Sequence, residues 1–194
     1  MAAWLVVGLG NPGERYAETR HNIGARVVER LAERLGVRLR KVRFSQVAAA
    51  EARVDDQRLL LVRPLTFMNV SGPAVASFAR RRKIDPGHVV VCHDEIDLPF
   101  GALKIKRGGS TAGHHGLDSL AQGFRTADFH RIRMGVGRPS GRKDPADYVL
   151  EPFAKAEREE ADLLVEEAAD AALTLVGEGL PAAQDRHNRS APRP

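Results

Sequence analysis

The spacing of apolar positions changes several times along the chain, and each change marks an element. Trp4–Leu9 is a dense apolar run that ends at Asn11-Pro12-Gly13, which predicts a short buried strand closed by a turn. Val27, Val28, Leu31 and Leu35 fall on one helical face, predicting a helix over roughly 24–35 that Gly36 closes. Segments 46–54 and 57–63 flank Asp55-Asp56 and predict a hairpin. Ser71 reads as the N-cap of a helix running to about Lys83, stopped by Asp85-Pro86-Gly87. The apolar run 88–93 predicts a central strand buried on both faces, and 103–107 a strand with one charged face. Gly108–Gly116 leads into a short helix near 117–122, and a further strand follows over 131–136. The last long helix is predicted over about 154–176, with Leu163, Leu164, Ala168, Ala171, Leu175 and Val176 inward and Gly177 as terminator. Strands and helices alternate without a repeat. The expected fold is a single α/β domain over 1–180, with a mixed, mostly parallel central sheet flanked by helices. Residues 181–194, ending Arg-Ser-Ala-Pro-Arg-Pro, read as a mobile tail.

Composition narrows the class. A chain of 194 residues with 43% hydrophobic and 28% charged residues has the profile of one ordinary soluble domain. Its longest apolar runs are far too short to span a bilayer, and Met1–Gly8 lacks the layout of a signal peptide. The single cysteine, Cys92, excludes an internal disulfide and a multi-cysteine zinc site, which points to a reducing cytoplasm. The net charge of +5 is unevenly placed. Acidic residues crowd 157–170, whereas basic residues, mostly Arg, gather at 80–83, 104–107, 131–133 and 138–143. That pattern suits a polyanionic partner, and equally a solvated basic surface.

Gly8-Leu9-Gly10-Asn11-Pro12-Gly13 matches the G-x-G-x-x-G of dinucleotide-binding loops. The context does not fit. No apolar helical period begins until after Ile23, and the acid with suitable spacing, Glu33, falls inside the predicted helix. The glycines therefore predict a turn at the carboxyl end of the first strand, where open α/β sheets bind ligands, with the Asn11 amide projecting into the crevice.

Three groups carry candidate chemistry. His21 and Asn22 lie in a polar stretch before the first helix, Asn69 at a strand-to-helix junction, and Asp94, Glu95 and Asp97 at the end of the most apolar strand. Each has a plainer reading as a packing, capping or turn residue. Together they hold the parts of a water-activating site: Asp94 fixes the tautomer of His21, His21 draws a proton from water, and Asn11 and Asn69 bind a carbonyl or developing oxyanion. Rival arrangements are weaker. Ala112 stands where a G-x-S-x-G elbow needs glycine, Cys92 reads as packing, and the adjacent pair His114-His115 points apart rather than towards a shared metal.

The stretches VGLGNPGERYAETRHNIG (7–24), RPLTFMNVSG (63–72), CHDEIDLPFG (92–101), AGHHGLDSL (112–120) and FHRIRMGVGRP (129–139) resemble bacterial peptidyl-tRNA hydrolases, in the family's order across most of the chain. The resemblance implies a monomeric esterase, free of metal and cofactor, that cleaves the bond between a stalled peptide and the terminal ribose of tRNA. It implies His21 as general base paired with Asp94, and Asn11 and Asn69 holding the peptide. Tyr16, Met68, Gly113, His114 and His115 would contact substrate, and Lys104, Lys106 and Arg133 would grip tRNA phosphates. The family loop usually reads Gly-Gly-His-Asn-Gly, so Ala112 and His115 are departures. The same fold also serves non-catalytic RNA-binding homologues of the chloroplast splicing type, which is the competing reading.

Overall fold

The computed structural model describes residues 3–191. A seven-stranded sheet has β1 (Ala3–Gly8) at its centre, in the order β2 (Arg40–Lys41), β3 (Val47–Val54), β4 (Gln57–Pro64), β1, β5 (Val89–Glu95), β7 (His130–Gly135) and β6 (Leu103–Arg107). β4, β1, β5 and β7 are mutually parallel, while β3 and β6 run against their neighbours. The sheet is thus mixed and mostly parallel, as the strand–helix alternation predicts.

Register sets two cores. Leu5, Val7, Val89 and Val91 face α2 (Ser71–Arg81) and α3 (His115–Phe124), where Phe78 and Leu120 fill the layer. Val6, Val90, Cys92 and Ile132 face α1 (Ile23–Arg34) and α5 (Arg158–Glu178). α1 lies so close to the sheet that a Cβ on Gly8 would fall 2.4 Å from the Gly24 carbonyl oxygen, and one on Gly10 2.9 Å from the Asn22 side chain. Two glycines of the phosphate-loop pattern therefore serve helix–strand contact. A 3-10 turn (Glu14–Tyr16) follows them in place of a helix, and the first turn of α1 packs on the loop itself, the Ala25 amide donating to the Leu9 carbonyl at 2.9 Å.

The acidic run of α5 answers the arginines of α1. Arg26, Arg30 and Arg34 pair with Asp162, Glu166 and Asp170, each four residues on, which lines the two helices up in the same direction.

Several elements depart from expectation. Ser71 is buried inside α2 rather than capping it, because the 3-10 turn Met68–Val70 runs straight into the helix and the hydroxyl donates to the Met68 carbonyl at 2.9 Å. α5 continues through Gly177 and stops at Gly179, whose φ of 92° breaks the helix ahead of Pro181. Leu163 is exposed, since Leu164 and Val165 take the core positions.

Residues 180–191, most of the segment expected to be a tail, pack against the domain. α6 (Leu180–His187) packs on α5, and residues beyond it cover the edge of β6. The physical cause is the edge strand's unpaired backbone. The Ile105 amide donates to Asn188 Oδ1 at 2.8 Å, its carbonyl accepts from Gln184 Nε2 at 2.9 Å, and Leu103 exchanges two backbone bonds with Arg189. Residues 192–194 of that expectation lie outside the described residues. Among the described residues, no helix is long and apolar enough to cross a membrane.

Candidate active site

The carboxyl ends of β1, β4 and β5 open on a crevice of about 510 Å³. Asp94 lies in its floor, buried, with His21 on one side and His114 on the other. His21 Nδ1 is 2.9 Å from each Asp94 oxygen, and His114 Nε2 is 2.8 Å from Oδ1. His21 comes from a 3-10 turn (Arg20–Asn22) just ahead of α1, and His114 is the N-cap of α3.

The hydrogen-bond partners settle the tautomers. His114 Nδ1 accepts from the Gly116 and Leu117 amides at 3.1 and 3.3 Å, so its proton sits on Nε2 and is donated to Asp94. Asp94, an acceptor only, takes the Nδ1 proton of His21 as well, which leaves His21 Nε2 as the basic atom open to the crevice. Burial alone would lower the His21 pKa. The Asp94 charge and hydrogen bond outweigh it and leave the imidazole above its ordinary 6.5. Burial likewise opposes ionisation of Asp94, but the two imidazoles hold its carboxyl well below the usual range.

His93 supports this cluster from behind. Its Nδ1 proton is donated to the Asp94 carbonyl oxygen at 2.7 Å, and its ring meets His114 edge-on at 5.0 Å. Burial, reinforced by the neighbouring His114, lowers its pKa to about 3, so it stays neutral.

The crevice carboxamide is oriented with equal clarity. Asn11 Oδ1 accepts from the Met68 amide at 2.8 Å, which turns the Nδ2 amino group towards the crevice. The turn itself is held by Asn22, whose side chain accepts from the Asn11 amide and donates to the Asn11 carbonyl, both at 2.9 Å. Asn69 is exposed on the rim, on the same 3-10 turn as Met68, which is buried in the wall. Tyr16 meets Phe67 edge-on across that wall, with ring centroids 6.4 Å apart. Gly113 and the exposed His115 complete the lining on the α3 side. Ala112, the residue before Gly113, is forced to a φ of 50°, where the family's glycine would be at ease.

The opposite wall belongs to α4 (Pro145–Val149), whose Pro145, Ala146 and Val149 line the crevice with Leu150 just beyond. It is held by Arg20, the neighbour of His21. The Arg20 guanidinium donates to the carbonyls of Tyr148, Glu151 and Pro152 at 3.1–3.4 Å and to Glu157 at 3.0 Å. It also stacks 4.0 Å from the Tyr148 ring centroid. Sequence reading gave α4 and this clamp no notice, although Asp144-Pro145 is a good N-cap and first-turn pair.

Lys104, Lys106 and Arg133 do not line the crevice. The β6–β7 register puts Lys104 opposite Arg133 and Lys106 opposite Arg131, so the four make one basic sheet face. Arg131 is fully buried and binds the carbonyls of Gly109, Ser110 and Ala127, pinning the glycine-rich loop. Arg133 reaches Glu95, which does line the crevice, at 3.3 Å and so links the basic face to it. Cys92 is a packing residue, as expected; burial pushes its thiol up to about 12.

Atoms of His21, Asp94 and His114 lie within 4.8 Å of one another, close enough to hold a metal ion. Both facing imidazole nitrogens carry protons donated to Asp94, however, which makes the trio a hydrogen-bonded relay rather than a ligand set.

A hydrolytic enzyme of α/β architecture is what this fold and this site define: an open imidazole base beside a carboxamide donor at the strand ends. The chain belongs to the peptidyl-tRNA hydrolase family, whose family model matches residues 5–194. It is 52% identical over 185 residues to the peptidyl-tRNA hydrolase of Frankia alni, covering 95% of this chain and 93% of that protein. It is 50% identical over 182 residues to that of Nocardia farcinica, covering 94% of each. The crystal structure of peptidyl-tRNA hydrolase from Acinetobacter baumannii superposes with a TM-score of 0.91 at 32% identity, over 98% of this chain and 97% of that one.

Proposed function

We propose that the protein hydrolyses the ester linking a peptide to the terminal ribose of tRNA, with His21 as general base. The carrying observation is the His21–Asp94–His114 relay, which fixes the His21 proton on Nδ1 and leaves Nε2 bare. His21 Nε2 takes a proton from water as the oxygen attacks the ester carbonyl, and Asp94 stabilises the imidazolium that forms. The oxyanion is met by Asn11 Nδ2 and by Asn69, each such donor being worth about 3–4 kcal/mol. When the intermediate collapses, the ribose oxygen leaves with the proton from His21, giving a peptide carboxylate and a free tRNA hydroxyl. An ester is activated relative to an amide, so no covalent nucleophile is needed.

Tyr16, Met68, Gly113 and His114 shape the space around the peptide end, and Lys104, Lys106 and Arg133 hold tRNA phosphates. His115 takes the place of a family asparagine. An imidazole offers one donor and one acceptor, so it substitutes for part of the amide's bonding but titrates where the amide does not. The enzyme works as a monomer in the cytoplasm, recycling tRNA from aborted translation.

The test is release of N-acetylamino acid from N-acetylaminoacyl-tRNA, with unblocked aminoacyl-tRNA as control. Release from the blocked substrate alone is expected. Tight binding without release would support the RNA-binding alternative instead.

A further inference from the structure

Beyond the crevice, a second groove of about 690 Å³ runs between the turn joining β2 to β3 and the start of α2. Only the 66–70 stretch separates the two: Phe67, Met68 and Asn69 line the crevice, while Thr66 and Val70 line the groove. Both lie at the same end of the sheet, because Gln46 precedes Val47, which pairs with Pro64 at the end of β4.

Large apolar side chains stand exposed between and within them. Phe67, Val70 and Phe44 are 55%, 49% and 85% exposed, and they form a trail from the crevice mouth into the groove. Phe44 keeps a φ of 56°, a conformation an aromatic residue seldom adopts, with the Arg43 guanidinium 4.6 Å from its ring centroid. Arg58 and Arg63, on β4 nearby, are paired with Glu51 and Glu29. Among the described residues, Lys41, Arg43 and Arg81 around the groove enter no ion pair.

We propose that this groove binds the peptide portion of the substrate, several residues upstream of the scissile ester, and favours apolar and acidic side chains. The inference rests on the crevice reading above. With RNA held on β6 and β7 at one sheet edge, the peptide leaves the crevice towards the other edge, across β4 and β3 to β2. Three inter-strand spacings from β1 to β2 come to ~14 Å, or roughly four residues of extended peptide. A one-residue substrate stops short of the groove.

The experiment compares N-acetylalanyl-tRNA with a hexapeptidyl-tRNA carrying Phe and Asp at its two N-terminal positions. Phe44→Ala, at an exposed position, and Arg81→Glu are assayed against the unaltered protein. Each variant is expected to raise KM for the hexapeptidyl substrate about three- to tenfold, from loss of part of an apolar or ionic contact, and to leave N-acetylalanyl-tRNA unchanged. An equal rise for both substrates would show that the groove holds RNA, and no rise for either would show that it holds neither; both overturn the proposal. Anisotropy of the labelled free hexapeptide is measured alongside. If the unaltered protein turned over neither substrate, the crevice reading would fail, and weakened peptide binding by the variants, or its absence, would still decide the groove.

Discussion

Asp94→Asn isolates what the carboxylate does. The wild-type oxygens accept from His21 Nδ1 at 2.9 Å and from His114 Nε2 at 2.8 Å. An amide of the same shape has one acceptor oxygen and one amino group. His114 cannot reverse its tautomer, since its Nδ1 is already occupied by two backbone amides. The oxygen therefore stays with His114, and the amino group turns to His21 Nδ1. That moves the His21 proton to Nε2, the atom that should accept one from water. A base in the wrong tautomer costs on the order of 10³–10⁴ in rate, ~4–5.5 kcal/mol of barrier. The residual activity should also shift in pH. Asp94 raises the His21 pKa, so without its charge the acid limb moves to lower pH. Single-turnover hydrolysis of N-acetylaminoacyl-tRNA across pH 5–9 measures both effects, with tRNA affinity as a check on folding. A variant within about tenfold of the wild-type rate, with its acid limb unmoved, would refute the relay.

Other changes test the supporting structure. Arg20→Ala leaves the carbonyls of Tyr148, Glu151 and Pro152 without their donor; it should cost about 2–4 kcal/mol, a fall in Tm of roughly 5–15 °C, and reduce kcat/KM by loosening the α4 wall. Unchanged melting would remove the clamp from the account. Ala112→Gly relieves a residue held at a φ of 50° and should stabilise the fold by about 0.5–1 kcal/mol in denaturant titration; destabilisation would show that the loop gains from alanine. Lys106→Ala should weaken tRNA binding and lower its salt slope by about one, with little effect on a minimal ester lacking the tRNA body. Equal losses on both substrates would place Lys106 in the chemistry instead.

What could be read in advance follows from how local each signal is. β6 is bounded by alternation alone, and the helix of 24–35 differs from α1 by one residue at each end, because its inward face repeats at helical period. Asn11 and Asp94 were legible as polar residues at the ends of apolar runs, and His21 as a histidine in the polar stretch ahead of the first helix. Their full orientation was not, since Asn11 is aimed by the Met68 amide 57 positions away and Asp94 is shared with His114 20 positions on. Arg20 looked like any surface arginine, and its partners lie more than 120 positions away. His93 was hidden within an apolar run, where only the fold shows it bracing Asp94. The C-terminal segment read as mobile because its composition is polar. Its order comes from the open edge of β6, which no local pattern reveals.

In the proposed mechanism an unprotonated His21, raised in pKa by Asp94, activates water. The most direct measurement is the pH dependence of single-turnover ester hydrolysis in the unaltered protein and in His21→Ala, with tRNA affinity recorded for both. The wild-type rate is expected to rise with pH through an apparent pKa above the ordinary 6.5. His21→Ala should lose that limb and fall on the order of 10²–10⁴-fold, while binding tRNA as before. A variant that kept the same limb and most of its rate would contradict this mechanism.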